Sequence, residues 1–246
     1  MGIVFLIQTV DGHLIVAGSD KRGTIYGIYD ISEKIGVSPW YWWADVPVRK
    51  STSLYVEAGT YIQPSPKVKY RGIFINDEWP SFGGWASAQF GGLNSSMYGH
   101  LFELLLRLKA NYFWPAMWAT AFNEDDPQNP VVADKYGIIM GTSHHEAMMR
   151  AHKEYTKRRK EVGAWDYATN KKNLDQFFRE GLERNKDFDN LITIGMRGDG
   201  DVAMGKGDDE ENMKVLRDVV EGQRQIIGEV YGKDPSEVPQ LWAIFT

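Results

Sequence analysis

Polar residues gather at four places along the chain, each within or just after a short apolar run. Asn76-Asp77-Glu78-Trp79 follows the run 70–75, and Trp114, Trp118 and Asn123-Glu124-Asp125-Asp126 lie within and after 111–117. Ser143-His144-His145-Glu146 follows 137–141, and Arg197-Gly198-Asp199-Gly200-Asp201 follows 191–196. A positioned carboxyl or imidazole moves protons. A guanidinium grips a carboxylate through two parallel N–H bonds. Tryptophan offers a flat apolar face, the shape on which the C–H face of a sugar ring stacks. Arg197 with Asp199 and Asp201 therefore suits cleavage of a glycosidic bond to an acidic sugar. The arginine would hold the acid, and an aspartic acid would protonate the leaving oxygen.

Other chemistries fit these strings less well. Gly198, Gly200 and Ala203 have dinucleotide-loop spacing after a strand, but Asp199 and Asp201 put negative charge where a pyrophosphate would sit. As a calcium loop, Asp199, Asp201 and Glu210 match, while Ala203 and Met204 take the places of the third acid and the glycine. His144-His145 suggests a metal. Adjacent residues at a strand end are expected to point to opposite faces, and the helical zinc motif needs histidines four apart. The reading is no metal and no cofactor. Plain structural uses stand beside the functional ones. Asp77 and Glu78 can cap the loop that follows, Asn123 to Asp126 before Pro127 looks partly like turn chemistry, and a histidine can be structural.

The elements that must position these groups fall into two stretches. Strands over 4–7 and 13–16 flank Asp11-Gly12, a turn signal. Ile25, Ile28, Ile31 and Ile35 mark a helix stopped at Gly36. An aromatic knot at 39–45, a strand over 54–56 and a Pro64-Ser65-Pro66 linker place a boundary near residue 66. Beyond it, strands are expected over 70–75, 111–117, 137–141, 191–196 and 241–245. Helices are expected over 101–108, 131–135, 146–161, 174–183 and 212–229, with a Gly/Ser-rich loop over 82–96. Apolar strands alternating with helices predict parallel strands buried on both faces, which a doubly wound sheet or a barrel satisfies. In a β/α barrel the four polar clusters would share the active-site face.

Composition narrows the class. The 246 residues are 43% hydrophobic and 25% charged, with a net charge of −5 that argues against nucleic acid. The basic run Lys157-Arg158-Arg159-Lys160 reads as a solvated helix end. There is no cysteine, so disulfides and thiolate chemistry are excluded. No window approaches the roughly 18 apolar residues of a membrane span, and residues 1–7 read as a strand, not a signal peptide. Aromatic content reaches 13%, with nine Trp and twelve Tyr, which suits a sugar site as well as a rich core.

The strings 22–27 and 36–48 (through Pro39-Trp40-Tyr41-Trp42-Trp43-Ala44-Asp45), 71–78, 111–118, 141–146 and 195–201 resemble glycoside hydrolase family 115, in order and over nearly the whole chain. The resemblance implies an inverting xylan α-1,2-glucuronidase that releases glucuronic acid or its 4-O-methyl ether. The expected fold is α/β. Residues 1–66 would be the C-terminal part of a small α/β domain of the hexosaminidase type, and 67–246 the first five strand–helix units of a β/α (TIM) barrel. By resemblance Asp201 is an essential carboxylate, with Asp199 as alternative, and Arg197 clamps the uronate. His144 or His145, with Asp77, would contact the sugar, and Trp114 and Trp118 would form apolar walls; Glu78 is a binding candidate from its place after the strand alone.

Glucuronoxylan or aldouronic oligosaccharides would be the partners, with no nucleic acid and no membrane. A homo-oligomer of the full-length protein stays open, and that protein is expected to be secreted or periplasmic. The chain would start inside the first domain and stop before the catalytic base, expected just after Thr246, so that alone it would be inactive unless Glu78 or Glu146 substitutes for that base. Competing readings are a barrel hydrolase for another uronic-acid linkage and a non-catalytic acidic-sugar-binding protein.

Overall fold

A computed structural model describes residues 3–204 and 208–242. It is a mixed α/β molecule whose chain divides into two compact units, Met1–Gly72 with Gly99–Tyr112, and Ile73–Tyr98 with Phe113–Thr246.

In the first unit β1 (Ile3–Val10) and β2 (His13–Gly18) form an antiparallel hairpin. Its turn residues Asp11 and Gly12 both take positive φ, 49° and 75°, the geometry that matches strand twist. Helix α1 (Lys21–Lys34) starts where Asp20 accepts the Gly23 N–H at 2.7 Å. The helix lies where the isoleucine spacing places it, but it buries Gly23, Tyr26, Gly27 and Asp30 and leaves Ile28 54% exposed. Close approach explains the choice. A Cβ on Gly23 would stand 2.1 Å from the Val4 carbonyl oxygen, so the glycine face is the one that fits the sheet.

The strand expected over 54–56 does not form. The second neighbour of β1 is β3 (Thr60–Pro64), antiparallel, and Leu54, Tyr55 and Val56 are left exposed without a ladder. The segment 99–112 is tied into this unit by Tyr26 donating to the Ala110 carbonyl at 2.8 Å and by Lys109 on Asp30 at 2.6 Å.

The remaining strands are β4 (Gly72–Ile75), β5 (Tyr112–Pro115), β6 (Ile139–Met140), β7 (Ile192–Ile194) and β8 (Gln240–Trp242). They neighbour one another in chain order: β4-β5-β6, then a parallel bridge from Met140 to Asn190, then β7 parallel to β8. Asn111 N–H donates to the Arg71 carbonyl and Ala116 N–H to that of Ile75, so β4 and β5 also run the same way. The last part of the strand expected over 241–245 lies outside the described residues.

Helices α2 (Phe82–Phe90), α3 (Ser95–Arg107), α4 (Phe122–Asp125), α5 (Gln128–Tyr136), α6 (His152–Lys157), α7 (Arg159–Val162), α8 (Tyr167–Asn185) and α9 (Asp209–Tyr231) complete the chain. Besides α4, which forms where turn chemistry was expected, three stretches differ from expectation. The stretch 82–96 holds α2 and the start of α3 where composition suggests a loop. Trp85 stacks on Phe82 and meets the edge of Phe90, and Ala86 is fully buried, which orders a glycine-rich segment. Leu108 falls past the end of α3 and is exposed, although Leu101, Leu104 and Leu105 are buried. The helix expected from 146 begins only at His152, because Met148 and Met149 take positive φ in a buried turn. Among the described residues no helix is long and apolar enough to cross a membrane.

Candidate active site

The segment after β7 carries two aspartates with separate partners. Asp201, itself at a left-handed φ of 62°, receives Arg197 Nε at 2.6 Å and His144 Nε2 at 2.9 Å, both on Oδ1. Burial pushes its carboxyl up, but the bond to His144 and the neighbouring Arg197 guanidinium outweigh it and hold the group below the usual carboxylate range. Asp199 accepts a bidentate grip from Arg159, at 2.6 and 3.0 Å, and His152 Nε2 at 3.1 Å. Arg159 belongs to the basic run read as a solvated end. The run does close α6 with Lys157, Arg159 and Lys160 exposed, and it is ion-paired as well: Arg159 holds Asp199, Arg158 reaches Glu180 at 3.2 Å and Lys157 approaches Glu124 at 3.6 Å.

The segment after β6 supplies the other half. His144 and His145 stand in a turn, and their ring centroids lie 4.9 Å apart. The expectation that they point to opposite faces is corrected: that alternation belongs to extended backbone, and the strand has ended. Each of His144, His145 and Asp201 offers an atom within 4.8 Å of the others, a spacing a metal site also has. Here the Arg197 guanidinium already sits on the Asp201 oxygen, so the cluster is an ion-paired one. Burial lowers His145 to about 4, against the attraction of Asp201, so its ring is neutral near pH 7. Glu146 is fully buried; its Oε1 accepts the His152 N–H at 3.1 Å and its Oε2 the Ser143 hydroxyl at 3.0 Å. Burial pushes Glu146 up to about 8.

The first two clusters contribute unequally. Asp77 is buried, and its Oδ2 accepts the N–H groups of Ala119 and Thr120 and the Thr120 hydroxyl, at 3.1, 2.9 and 2.6 Å. It therefore staples the loop after β5, while Oδ1 is buried without a hydrogen-bond partner among the described residues. Glu78 is exposed. Trp114 is half-buried against Phe74, with centroids 5.3 Å apart. Trp118 is 52% exposed and meets His145 edge to face at 5.3 Å, so it presents an open ring beside the histidines. Asp125 and Asp126 are occupied at the ends of α4: Asp125 accepts the Ala121 N–H and pairs with Lys153, and Asp126 accepts the N–H groups of Ser95 and Gln128.

His144, His145, Asp201, Arg197 and Trp118 thus come together, with Asp199 alongside through His152. Sequence reasoning missed His152, Arg159 and Trp165, whose Nε1 donates to the Arg197 carbonyl at 2.9 Å. His152 and Arg159 lay in a stretch read as ordinary helix, and no spacing rule links them to residue 199.

The sequence profile of Glycosyl hydrolase family 115 matches residues 63–246. A solved structure described as a family GH115 4-O-methyl-α-glucuronidase with specificity for decorated arabinogalactans is similar at 39% identity and a TM-score of 0.87, over 96% of this chain and 32% of that one. The chain therefore spans about a third of that enzyme's length. No curated protein matches.

Proposed function

The chain belongs to glycoside hydrolase family 115, and from that membership we propose that it carries the acidic-sugar end of an α-glucuronidase site, removing glucuronic acid or its 4-O-methyl ether from xylan by inversion. The observation that carries the reading is Arg197 on Asp201 beside His144: one guanidinium able to exchange a protein carboxylate for a substrate carboxylate. In the ligand-free molecule Asp201 is held ionised, the wrong state for a general acid. A uronate that draws Arg197 to itself removes that cation and brings a second negative charge nearby. Both changes raise the Asp201 carboxyl toward the protonated state needed to donate to the leaving oxygen. Substrate binding would then arm the acid.

Asp201 is the better catalytic candidate, because Asp199 is held by both Arg159 and His152. Arg197, His144 and His145 are proposed sugar contacts and Trp118 an apolar wall, with Trp114, Asp77 and Glu78 around them. Five strands in chain order, with β4 and β5, the Met140–Asn190 bridge, and β7 and β8 running parallel, support the reading of 67–246 as the opening units of a β/α barrel, with 1–66 belonging to a smaller α/β domain. An inverting mechanism also needs a second carboxylate, roughly 6.5–9.5 Å from the acid.

The specificity described for the similar structure favours a second reading, in which the uronic acid is borne by an arabinogalactan. The test is uronic acid release from glucuronoxylan and from a decorated arabinogalactan, with this chain inside a polypeptide of the matched enzyme's length. Release from xylan supports the first reading and release from arabinogalactan alone the second. Release from neither, with both polymers retained on binding, would leave a sugar-binding protein.

A further inference from the structure

Ser143 stands between two groups of opposite habit. Its hydroxyl oxygen lies 3.0 Å from Glu146 Oε2 and 3.2 Å from His145 Nδ1, and it has one proton to share between them. The backbone N–H of His152 occupies the other Glu146 oxygen, so when the carboxyl is protonated the proton sits on Oε2, facing Ser143. Two arrangements follow. With Glu146 ionised, the serine donates to it and must accept a proton from Nδ1, leaving Nε2 bare. With Glu146 protonated, its proton turns to the serine, the serine donates to Nδ1, and Nε2 carries the hydrogen. The His145 side chain is 92% buried; Nε2 has no hydrogen-bond partner among the described residues and stands 4.0 Å from Glu146 Oε1, the oxygen that the His152 N–H occupies.

We propose that Glu146 is a positioning residue for His145: acting through the Ser143 hydroxyl, it decides which ring nitrogen is protonated, and so which tautomer of the ring lies against Trp118 at the proposed sugar site. The sugar rests on the function proposed above; the relay does not. Glu146 has no Lys or Arg ion-pair partner among the described residues, and the charges facing it, Asp77 and Glu154, are acids that add to burial in keeping it protonated, against the Ser143 and His152 bonds. His145 faces Asp201, which favours its charged form, and His144, His152 and Arg197, which oppose it together with burial. With His145 lowered to about 4 and Glu146 raised to about 8, the imidazole is neutral throughout the range in which the carboxyl titrates. Near pH 7 the Nε2–H tautomer prevails.

The experiment is long-range proton–nitrogen correlation on protein labelled with nitrogen-15 histidine, His145 being identified by loss of its signals in His145→Gln. The wild type is expected to carry the hydrogen on Nε2 at about pH 6.5 and on Nδ1 at about pH 9.5. Glu146→Gln, whose amide N–H replaces the acid proton toward Ser143, should keep the Nε2–H form at both. Ser143→Ala should abolish the change with pH while leaving Glu146 in place. A wild-type tautomer that does not change between those pH values, or one that still changes in Ser143→Ala, overturns the proposal. Glucuronate is then titrated in. A coupled tautomer whose signals ignore the sugar overturns the sugar-facing part and the functional reading, with the relay itself intact.

Discussion

Asp199 and Asp201 lie two residues apart, yet Asp199 is gripped by Arg159 and His152 while Asp201 receives Arg197 and His144. Only Asp201 shares its cation with the proposed substrate position. In the family-length polypeptide, Asp201→Asn should lower kcat by about 10²–10⁴-fold, the usual contribution of a general acid, with KM little changed. Asp199→Asn should instead lower the melting temperature and cost little turnover. Equal kinetic losses in the two variants would dissolve the distinction.

Arg197→Lys keeps the charge and loses the two-pronged geometry. Binding of aldouronic acids should weaken by about 1–3 kcal/mol. Binding of the same oligosaccharide with its carboxyl reduced to an alcohol should be nearly unaffected. A parallel loss on both ligands would mean that Arg197 acts on the fold and not on the uronate.

Two buried carboxyls should bend the stability–pH curve in opposite directions. Glu146 is raised in the folded protein, so its contribution is fully present below the unfolded value near 4.5 and is lost as pH rises toward about 8. Each unit of elevation corresponds to about 1.4 kcal/mol, and Glu146→Gln should flatten that alkaline decline. Asp30 is opposed by burial but bonded to Lys109 and Lys34, which hold it low. Its contribution is therefore present above the unfolded value and lost as pH falls through the folded one, so Asp30→Asn should flatten the acid limb. Melting temperatures from pH 3 to 9 read both slopes; a steeper alkaline fall in Glu146→Gln would contradict the assignment.

Gly23 is where α1 touches β1, with a substituted Cβ only 2.1 Å from the Val4 carbonyl oxygen. Gly23→Ala should destabilise by about 1–3 kcal/mol although alanine is the better helix former. Ile28→Ala, on the exposed face of the same helix, should change stability by less than about 1 kcal/mol. Urea midpoints of the two variants compare them directly. A greater loss at Ile28 would restore the isoleucine face as the buried one.

Local chemistry settled a good deal in advance. Asp11-Gly12 can close a hairpin because aspartate and glycine tolerate positive φ, and the turn forms there. Apolar runs of strand length followed by acids, histidines and an arginine were enough to place β4 to β7 and to gather candidate residues at their ends. Those signals act over a few residues, which is the range that backbone torsions and side-chain periodicity report. The rest depended on contacts between distant parts of the chain. Composition left 82–96 as a loop until Phe82, Trp85 and Phe90 met, and isoleucine spacing named a face of α1 before the glycines were seen to fit the sheet more closely. At the site, adjacency along the chain made His144 and His145 look divergent and Asp199 and Asp201 look equivalent. The turn after β6 made the histidines converge. Arg159, 40 residues before Asp199, drew off one aspartate and left the other to Arg197: ion pairs are chosen by proximity in space, and spacing along a chain does not record that.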